Sequence, residues 1–225
     1  MKDGILVINK PKGITSHDAV NYIRRQFHIK RVGHAGTLDP MATGVLVILI
    51  GRCTKLFDSF LGLDKEYVAT LSLGTRTVSG DVEGSVIEEK NFTHVDEDKV
   101  RAAAAYFIGE KEQIPPMVSA LKFQGKRLYS LARKGKEVQR KPRTIFIKDL
   151  KIIKLALPDI QFQVTCSRGT YIRTLAEDIA VYLNTVGCVS QIERQAVGPF
   201  HIKDALALSD ITEDKIKPCP LGLFK

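Results

Sequence analysis

The longest run of branched aliphatic side chains in the sequence is Val45-Leu46-Val47-Ile48-Leu49-Ile50. It has no polar alternation, so neither face of it can be shown to water, and Thr43 to Ile50 reads as a buried strand. It is far short of the ~18 apolar residues that a membrane span requires. A buried strand needs neighbours, and the chain offers them in Ile5 to Lys10, Tyr67 to Leu73, Ile145 to Leu155 and Ile160 to Cys166. The last two read as a pair around Pro158-Asp159. Helical spacing occurs in three places. Ser16 reads as the N-cap of a helix running to about Phe27, with Ala19, Val20, Ile23 and Phe27 on one face. Asp96 caps a second, whose first turn carries Glu97 and Asp98 at the positive end of the dipole. That helix aligns Val100, Ala103, Ala104 and Phe107 and stops at Gly109. The third, Thr170 to Leu183, turns Ile172, Leu175, Ala176, Ile179 and Leu183 inward. Strands and helices alternate irregularly, so the expected class is α+β with a mixed sheet rather than a doubly wound parallel one.

The chain carries a formal net charge of +9. Excess Lys and Arg suits a polyanionic partner, because neutralising phosphates releases counterions, but a simply basic soluble protein has the same balance. The charge is uneven. Arg24, Arg25, Lys30 and Arg31 give the first helix region a basic side. Between Gln113 and Arg143 stand Lys122, Lys126, Arg127, Arg133, Lys134, Lys136, Arg140, Lys141 and Arg143, against the single acid Glu137. Such a run is either a solvated face or an RNA-gripping segment, and its density favours the second. Cys53, Cys166, Cys188 and Cys219 form no Cys-x-x-Cys pair and the five histidines are scattered. No metal site is therefore expected, and the thiols are expected to be free, reduced and mostly buried. No signal-peptide pattern precedes the first strand, so the protein reads as cytoplasmic, and no exposed apolar seam suggests more than a monomer.

Gly33 to Pro40 is a Gly-rich loop leading into the buried strand. Its glycines allow tight turns and close approach of a ligand, and Pro40 stiffens the chain after Asp39. A carboxylate there could be held at a fixed place on a rigid sheet, or could simply cap a turn, as Asp before Pro often does. The glycine spacing fits neither a P-loop nor a Rossmann fingerprint.

Gly33-His-Ala-Gly-Thr-Leu-Asp-Pro-Met-Ala-Thr-Gly-Val-Leu-Val resembles the catalytic signature of the bacterial TruB family of tRNA pseudouridine synthases. Four further segments resemble that family in order: Lys10-Pro11-x-Gly13-x-Thr15-Ser16; Lys65-Glu66-Tyr67 with Leu73-Gly74 and Asp81-x-x-Gly84; Gln113-x-Pro115-Pro116-x-x-Ser119-Ala120-x-Lys122-x-x-Gly125-x-x-Leu128-Tyr129; and Cys166-Ser167-x-Gly169-Thr170-Tyr171-Ile172-Arg173-Thr174-Leu175. The resemblance implies a pseudouridine-synthase fold, with a largely antiparallel mixed sheet flanked by helices. It also implies conversion of uridine to pseudouridine at position 55 in the T loop of tRNA, with no cofactor or metal. Asp39 would then be the nucleophile, and Arg173 the guanidinium that keeps it ionised against burial. Tyr67 would stack on the target uracil, and His34 would fill the space left by the flipped base. Lys10 would buttress the catalytic loop, and Lys122, Arg133 and Arg143 would belong to the RNA-binding thumb at 113–143. Ile192 would form an apolar wall against Tyr67.

Two departures stand out. Ile192-Glu193-Arg194 replaces the family's common Leu-Arg-Arg, so Glu193 removes one expected RNA-facing charge. After Phe200 only 25 residues remain, too few for the C-terminal PUA-type module of many relatives. The expected organisation is a catalytic domain over 1–208 and a short tail over 209–225.

Overall fold

A computed structural model describes residues 3–119, 121–132, 135–136 and 138–220. In chain order the strands and α-helices are β1 (Gly4–Lys10), α1 (Ser16–Gln26), β2 (Val32–Ala35), β3 (Thr43–Ile50), α2 (Phe57–Gly62), β4 (Lys65–Leu73), β5 (Thr75–Thr77), β6 (Val86–Glu89), α3 (Glu97–Phe107) and β7 (Gly109–Gln113). There follow β8 (Lys122–Phe123), β9 (Lys126–Arg127), α4 (Leu128–Ala132), β10 (Arg143–Ala156), β11 (Asp159–Cys166), α5 (Ile172–Tyr182), β12 (Gly187–Val197) and β13 (Phe200–His201). The α+β expectation holds, with a sheet that is mostly antiparallel. The chain forms two compact units. One comprises Met1–Tyr67 with Glu193–Lys225, and the other is the continuous stretch Val68–Ile192. Their boundaries fall inside β4 and β12.

In the first unit β3 pairs antiparallel with β1, from Gly4↔Ile50 to Lys10↔Gly44, and antiparallel with β2. On the other side it runs parallel to the end of β12, through Glu193↔Thr43 and Arg194↔Gly44. Strand β3 is therefore interior to a sheet, which is why its aliphatic run carries no polar alternation. Val45, Val47 and Leu49 pack with Ile5, Val7, Ala35, Cys53, Phe60 and Val197 in one core cluster. Helix α1 is closed at its start by a capping box one residue earlier than expected. Thr15, not Ser16, is the N-cap, and the Thr15 and Asp18 side chains each accept from the other's main-chain N–H. Described residues after Ile202 pair with β1. Leu206 N–H donates to Val7 O and Asn9 N–H to Leu206 O, while Ile5 and Lys217 exchange both main-chain hydrogen bonds. The open edge of β1 is thereby covered.

In the second unit the order is β12-β4-β11-β10-β7. Strands β10 and β11 form the expected pair, joined through a cis Leu157–Pro158 peptide bond. Helices α3 and α5 bury the faces anticipated from their spacing: Val100, Ala103, Ala104 and Phe107 in the first, and Ile172, Leu175, Ala176 and Ile179 in the second.

Two further expectations need correction. Gly33 to Ala35 is not loop but part of β2, since its main chain pairs with β3 from Val47 to Leu49. Beyond Gly74, β5 pairs with β6. Cys53 and Cys219 are joined as a disulfide with Cα atoms 5.9 Å apart, so the expectation of unbridged thiols fails for this pair, whereas Cys166 and Cys188 are buried and outside any disulfide. The pairing of β1 with the C-terminal segment brings these two cysteines together across 166 residues of sequence, a closeness that residue spacing does not reveal.

Candidate functional site

Asp39 lies on the loop that leaves β2 at Ala35 and enters β3 at Thr43. The loop is pinned mainly through its main chain. Leu38 N–H donates to Ser16 Oγ at 2.8 Å, and Ser16 Oγ donates back to Leu38 O at 3.1 Å. Pro40 O accepts from Gly13 N–H at 2.8 Å, and Ala42 N–H closes a turn onto Asp39 O. Lys10 is fully buried and directs its ammonium to three carbonyls: Pro11 O at 2.7 Å, Ile14 O at 2.8 Å and Pro40 O at 3.3 Å. The Lys-Pro-x-Gly turn and the Asp39 loop are thus one construction, and Lys10 holds the main chain next to Asp39.

A second buried cation joins this construction, the arginine that Ile192-Glu193-Arg194 keeps from the family's Leu-Arg-Arg. Arg194, only 1% exposed, donates from Nε to Val45 O at 2.7 Å and from Nη2 to Gly36 O at 3.1 Å. The sequence carries a signal for it: Ile192, Arg194 and Ala196 share one face of β12, and all three are buried. An arginine in an apolar register of a strand is a buried charge with something to hold. Lys65 is a third, donating to Leu61 O and Leu63 O. Elsewhere in this unit, His34 is half-buried in β2 and Tyr67 is buried in β4.

In the second unit Arg173 is 2% exposed on the first turn of α5. Its guanidinium donates to Ser79 O and, at 2.8 Å, to Val118 O, and its Nε lies 3.9 Å from Asp81 Oδ2. Asp81 is itself fixed by Ser79 Oγ at 2.6 Å and Glu83 N–H at 3.1 Å. The second turn of α5 adds Glu177, whose Oε1 is 3.6 Å from Arg76 Nε. Burial raises the Glu177 carboxyl, with Arg76 and Arg173 opposing that shift. Ile192 is buried in β12. Arg143 is exposed at the start of β10, opposite Gln113. Lys122 opens the short strand β8, while Arg133 lies outside the described residues. Among the described residues no group of three or more His, Cys, Asp or Glu side chains could hold a metal ion. No helix of the described residues is long and apolar enough to cross a membrane.

Next to Glu177, Asp178 is pushed up to about 6 by burial and, secondarily, by the Glu177 charge. In an unfolded chain it would titrate near 3.8. Between these values the native state binds the extra proton, so stability falls as pH rises from about 4 to 6 and stays reduced above that window. Asp178→Asn removes the penalty. Thermal melts should show the variant gaining on the order of 1–3 kcal/mol at pH 7.5 and almost nothing at pH 3.5. An equal change at both pH values would rule out this cause.

Residues 24–172 match the TruB family pseudouridylate synthase (N terminal domain). A tRNA pseudouridine synthase B from Burkholderia pseudomallei (strain 668) is 46% identical over 216 residues, 95% of this chain and 71% of its own length. That of Opitutus terrae is 43% identical over 219 residues, covering 97% and 89% of the two chains. That of Endomicrobium trichonymphae is 44% identical over 215 residues, covering 95% and 94%. Among solved structures, a chain of a Cbf5-Nop10-Gar1 complex superposes with a TM-score of 0.72 at 30% identity, over 92% of this chain and 53% of its own. A chain of an H/ACA RNP bound to a substrate RNA containing 2′-deoxyuridine does so with a TM-score of 0.72 at 25% identity, over 96% and 59%. The chain thus spans little more than half the length of these two solved relatives.

Proposed function

The chain belongs to the TruB family of pseudouridylate synthases, and from that membership we propose that it isomerises uridine to pseudouridine at position 55 in the T loop of tRNA. The observation that carries this reading is the loop itself: a carboxylate whose neighbouring main chain is held by Ser16, Gly13 and the buried Lys10. Preorganisation of this kind suits a nucleophile that must meet a reacting atom within a few tenths of an ångström. The reaction balances without any redox partner. The bond from ribose C1′ to uracil N1 breaks, a bond from C1′ to C5 forms, the proton on C5 is lost, and N1 gains one. Asp39 supplies the covalent bond that holds the intermediate, on C1′ or on C6, while the base turns. Arg173 is its counter-cation in the RNA complex, and a guanidinium that already gives Nη donors to two carbonyls has a fixed direction in which to offer its charge. Tyr67 stacks on the uracil extruded from the T loop, with Ile192 as the apolar wall, and His34 takes the vacated place in the loop. Lys10 buttresses. The thumb cations Lys122, Arg133 and Arg143 contact phosphates of the T arm.

Mapping pseudouridine in an unmodified tRNA transcript incubated with the protein alone tests the proposal. Product at the T-loop uridine is the expected result. Product at another uridine would keep the chemistry and reject the substrate site. Product only when a guide RNA is added would move the assignment to a guided particle, and no product under either condition would reject the enzymatic reading.

A further inference from the structure

We propose that Arg194 is a positioning residue for the Asp39 nucleophile, acting as a tether that fixes both ends of the catalytic loop through one guanidinium. This rests on the assignment of Asp39 above. The loop leaves β2 and joins β3, and its two ends are marked by Gly36 and by Gly44-Val45. Arg194 reaches both: Nη2 to Gly36 O at 3.1 Å and Nε to Val45 O at 2.7 Å. Its own main chain lies in parallel register with Gly44. At Gly36, where φ is +90°, a Cβ would sit 3.5 Å from Arg194 Nη1. At Gly44, where φ is +104°, a Cβ would lie within 2.3–2.9 Å of the Arg194 main chain. Both glycines take a positive φ that turns the backbone at the loop ends, and at Gly44 the absence of a Cβ also lets the backbone lie against the Arg194 main chain.

Chemistry explains why the residue is arginine. A guanidinium is planar and its donors are rigidly spaced, so two carbonyls bonded to it are held at a set separation. A lysine ammonium carries its donors on a single freely rotating nitrogen and cannot hold both ends at that separation. Keeping a cation 1% exposed is costly, and a hydrophobic side chain would pack there at lower cost, which makes geometry rather than stability the gain. Lys10 and Arg194 divide the labour. Lys10 holds the middle of the loop at Pro40, and Arg194 sets the span between its ends.

Arg194→Lys retains charge and most of the volume while removing the fork, so it is the principal test, with Arg194→Gln as a neutral partner. Single-turnover rates and apparent KM are measured on tRNA transcript, and hydrogen exchange is followed in peptides covering 36–44 and 46–50. The expected result for Arg194→Lys is a ~30- to 100-fold lower kcat with KM within ~3-fold, since slight misplacement of a reacting group costs about that much. Exchange should rise at least ~10-fold in 36–44 while 46–50 stays protected. Unchanged kcat, or unchanged exchange in 36–44, would overturn the proposal. So would exchange rising equally in both peptides with activity tracking the folded fraction, because that pattern is merely structural. Should the wild type make no pseudouridine, the assignment of the reaction fails, while the exchange measurement still decides whether Arg194 tethers the loop.

Discussion

Replacing Asp39 by Asn should lower kcat/KM for pseudouridine formation by at least ~10⁴-fold while leaving tRNA affinity within ~3-fold, as expected when a covalent nucleophile is removed from an otherwise intact site. The separation of the two effects follows from how the loop is built. Its anchors are the hydrogen bonds of Leu38 with Ser16, the Lys10 and Gly13 donors to Pro40 O, and the Ala42–Asp39 main-chain turn. These anchors run through the main chain and the Ser16 and Lys10 side chains, and a carboxamide has the shape of a carboxylate, so the loop should keep its path in the variant. An amide of the same shape cannot form the covalent bond to the sugar or base. Release of the C5 proton from a labelled substrate measures the rate, and filter binding measures affinity. A variant retaining more than ~1% of the wild-type rate would remove Asp39 from the nucleophile's role. Loss of binding in parallel with rate would instead mean that the carboxylate organises the RNA-binding surface.

The largest effect on stability is expected from Gly44→Ala. The Cβ would fall 2.3 Å from Arg194 O, 2.6 Å from Arg194 N and 2.9 Å from Arg194 C, at a residue whose φ is +104°. These obstacles are main-chain atoms of a hydrogen-bonded strand, which cannot rotate aside as a side chain can. The parallel Arg194↔Gly44 pairing must open, and the Gly44 N–H bond to Asn9 Oδ1 at 3.1 Å is strained with it. Backbone strain and lost strand pairing together should cost ~4 kcal/mol or more, about 10 °C in melting temperature for a chain of this size. Gly13→Ala provides the comparison. It has a similar φ of +89° but nothing within 4 Å of its Cβ, so only the conformational cost of ~1–2 kcal/mol should appear. Denaturant titrations of the two variants would separate these contributions. Equal losses would show that the approach of β12 to Gly44 carries no extra weight.

Features that depend on neighbours along the chain are legible in the amino-acid sequence. Strand β3 covers Thr43–Ile50, the span read around its aliphatic run, and the buried faces of α1, α3 and α5 follow their 3.6-residue spacing. The α1 cap lies one residue away from its expected place because Thr15 and Ser16 are both competent caps. Only the path of the chain decides that Thr15 meets Asp18 while Ser16 serves the Asp39 loop. Strand β2 reads as loop because of its glycine and histidine, and its strand character comes from pairing with β3. Strand β12 is obscured for a related reason: Glu193, Arg194 and Gln195 dilute its apolar alternation, although the alternate residues are buried. The second anchor of the candidate site is concealed with it. Lys10 can be assigned from its motif, whereas Arg194 stands 158 residues from Gly36 and 149 from Val45, the two carbonyls it holds.

The pairing of β1 with Leu206 and Lys217 has a consequence for biosynthesis. The second unit is one continuous stretch, Val68–Ile192, whereas the first joins residues up to Tyr67 with residues from Glu193 onward. On a ribosome, which releases the chain from its N-terminus, all of the second unit emerges before the first can be completed. Strand β1 is made ahead of that unit, yet its outer edge stays open until Lys217 has been synthesised and can pair with Ile5. Throughout that interval the nascent protein carries an uncovered aliphatic strand, which is the form most prone to pair with another chain. The Asp39 loop shares this delay, because the Arg194 that spans its ends is translated only after the second unit is complete. A ribosome stalled before residue 194 would therefore hold a chain in which Asp39 has been made but its loop is untethered.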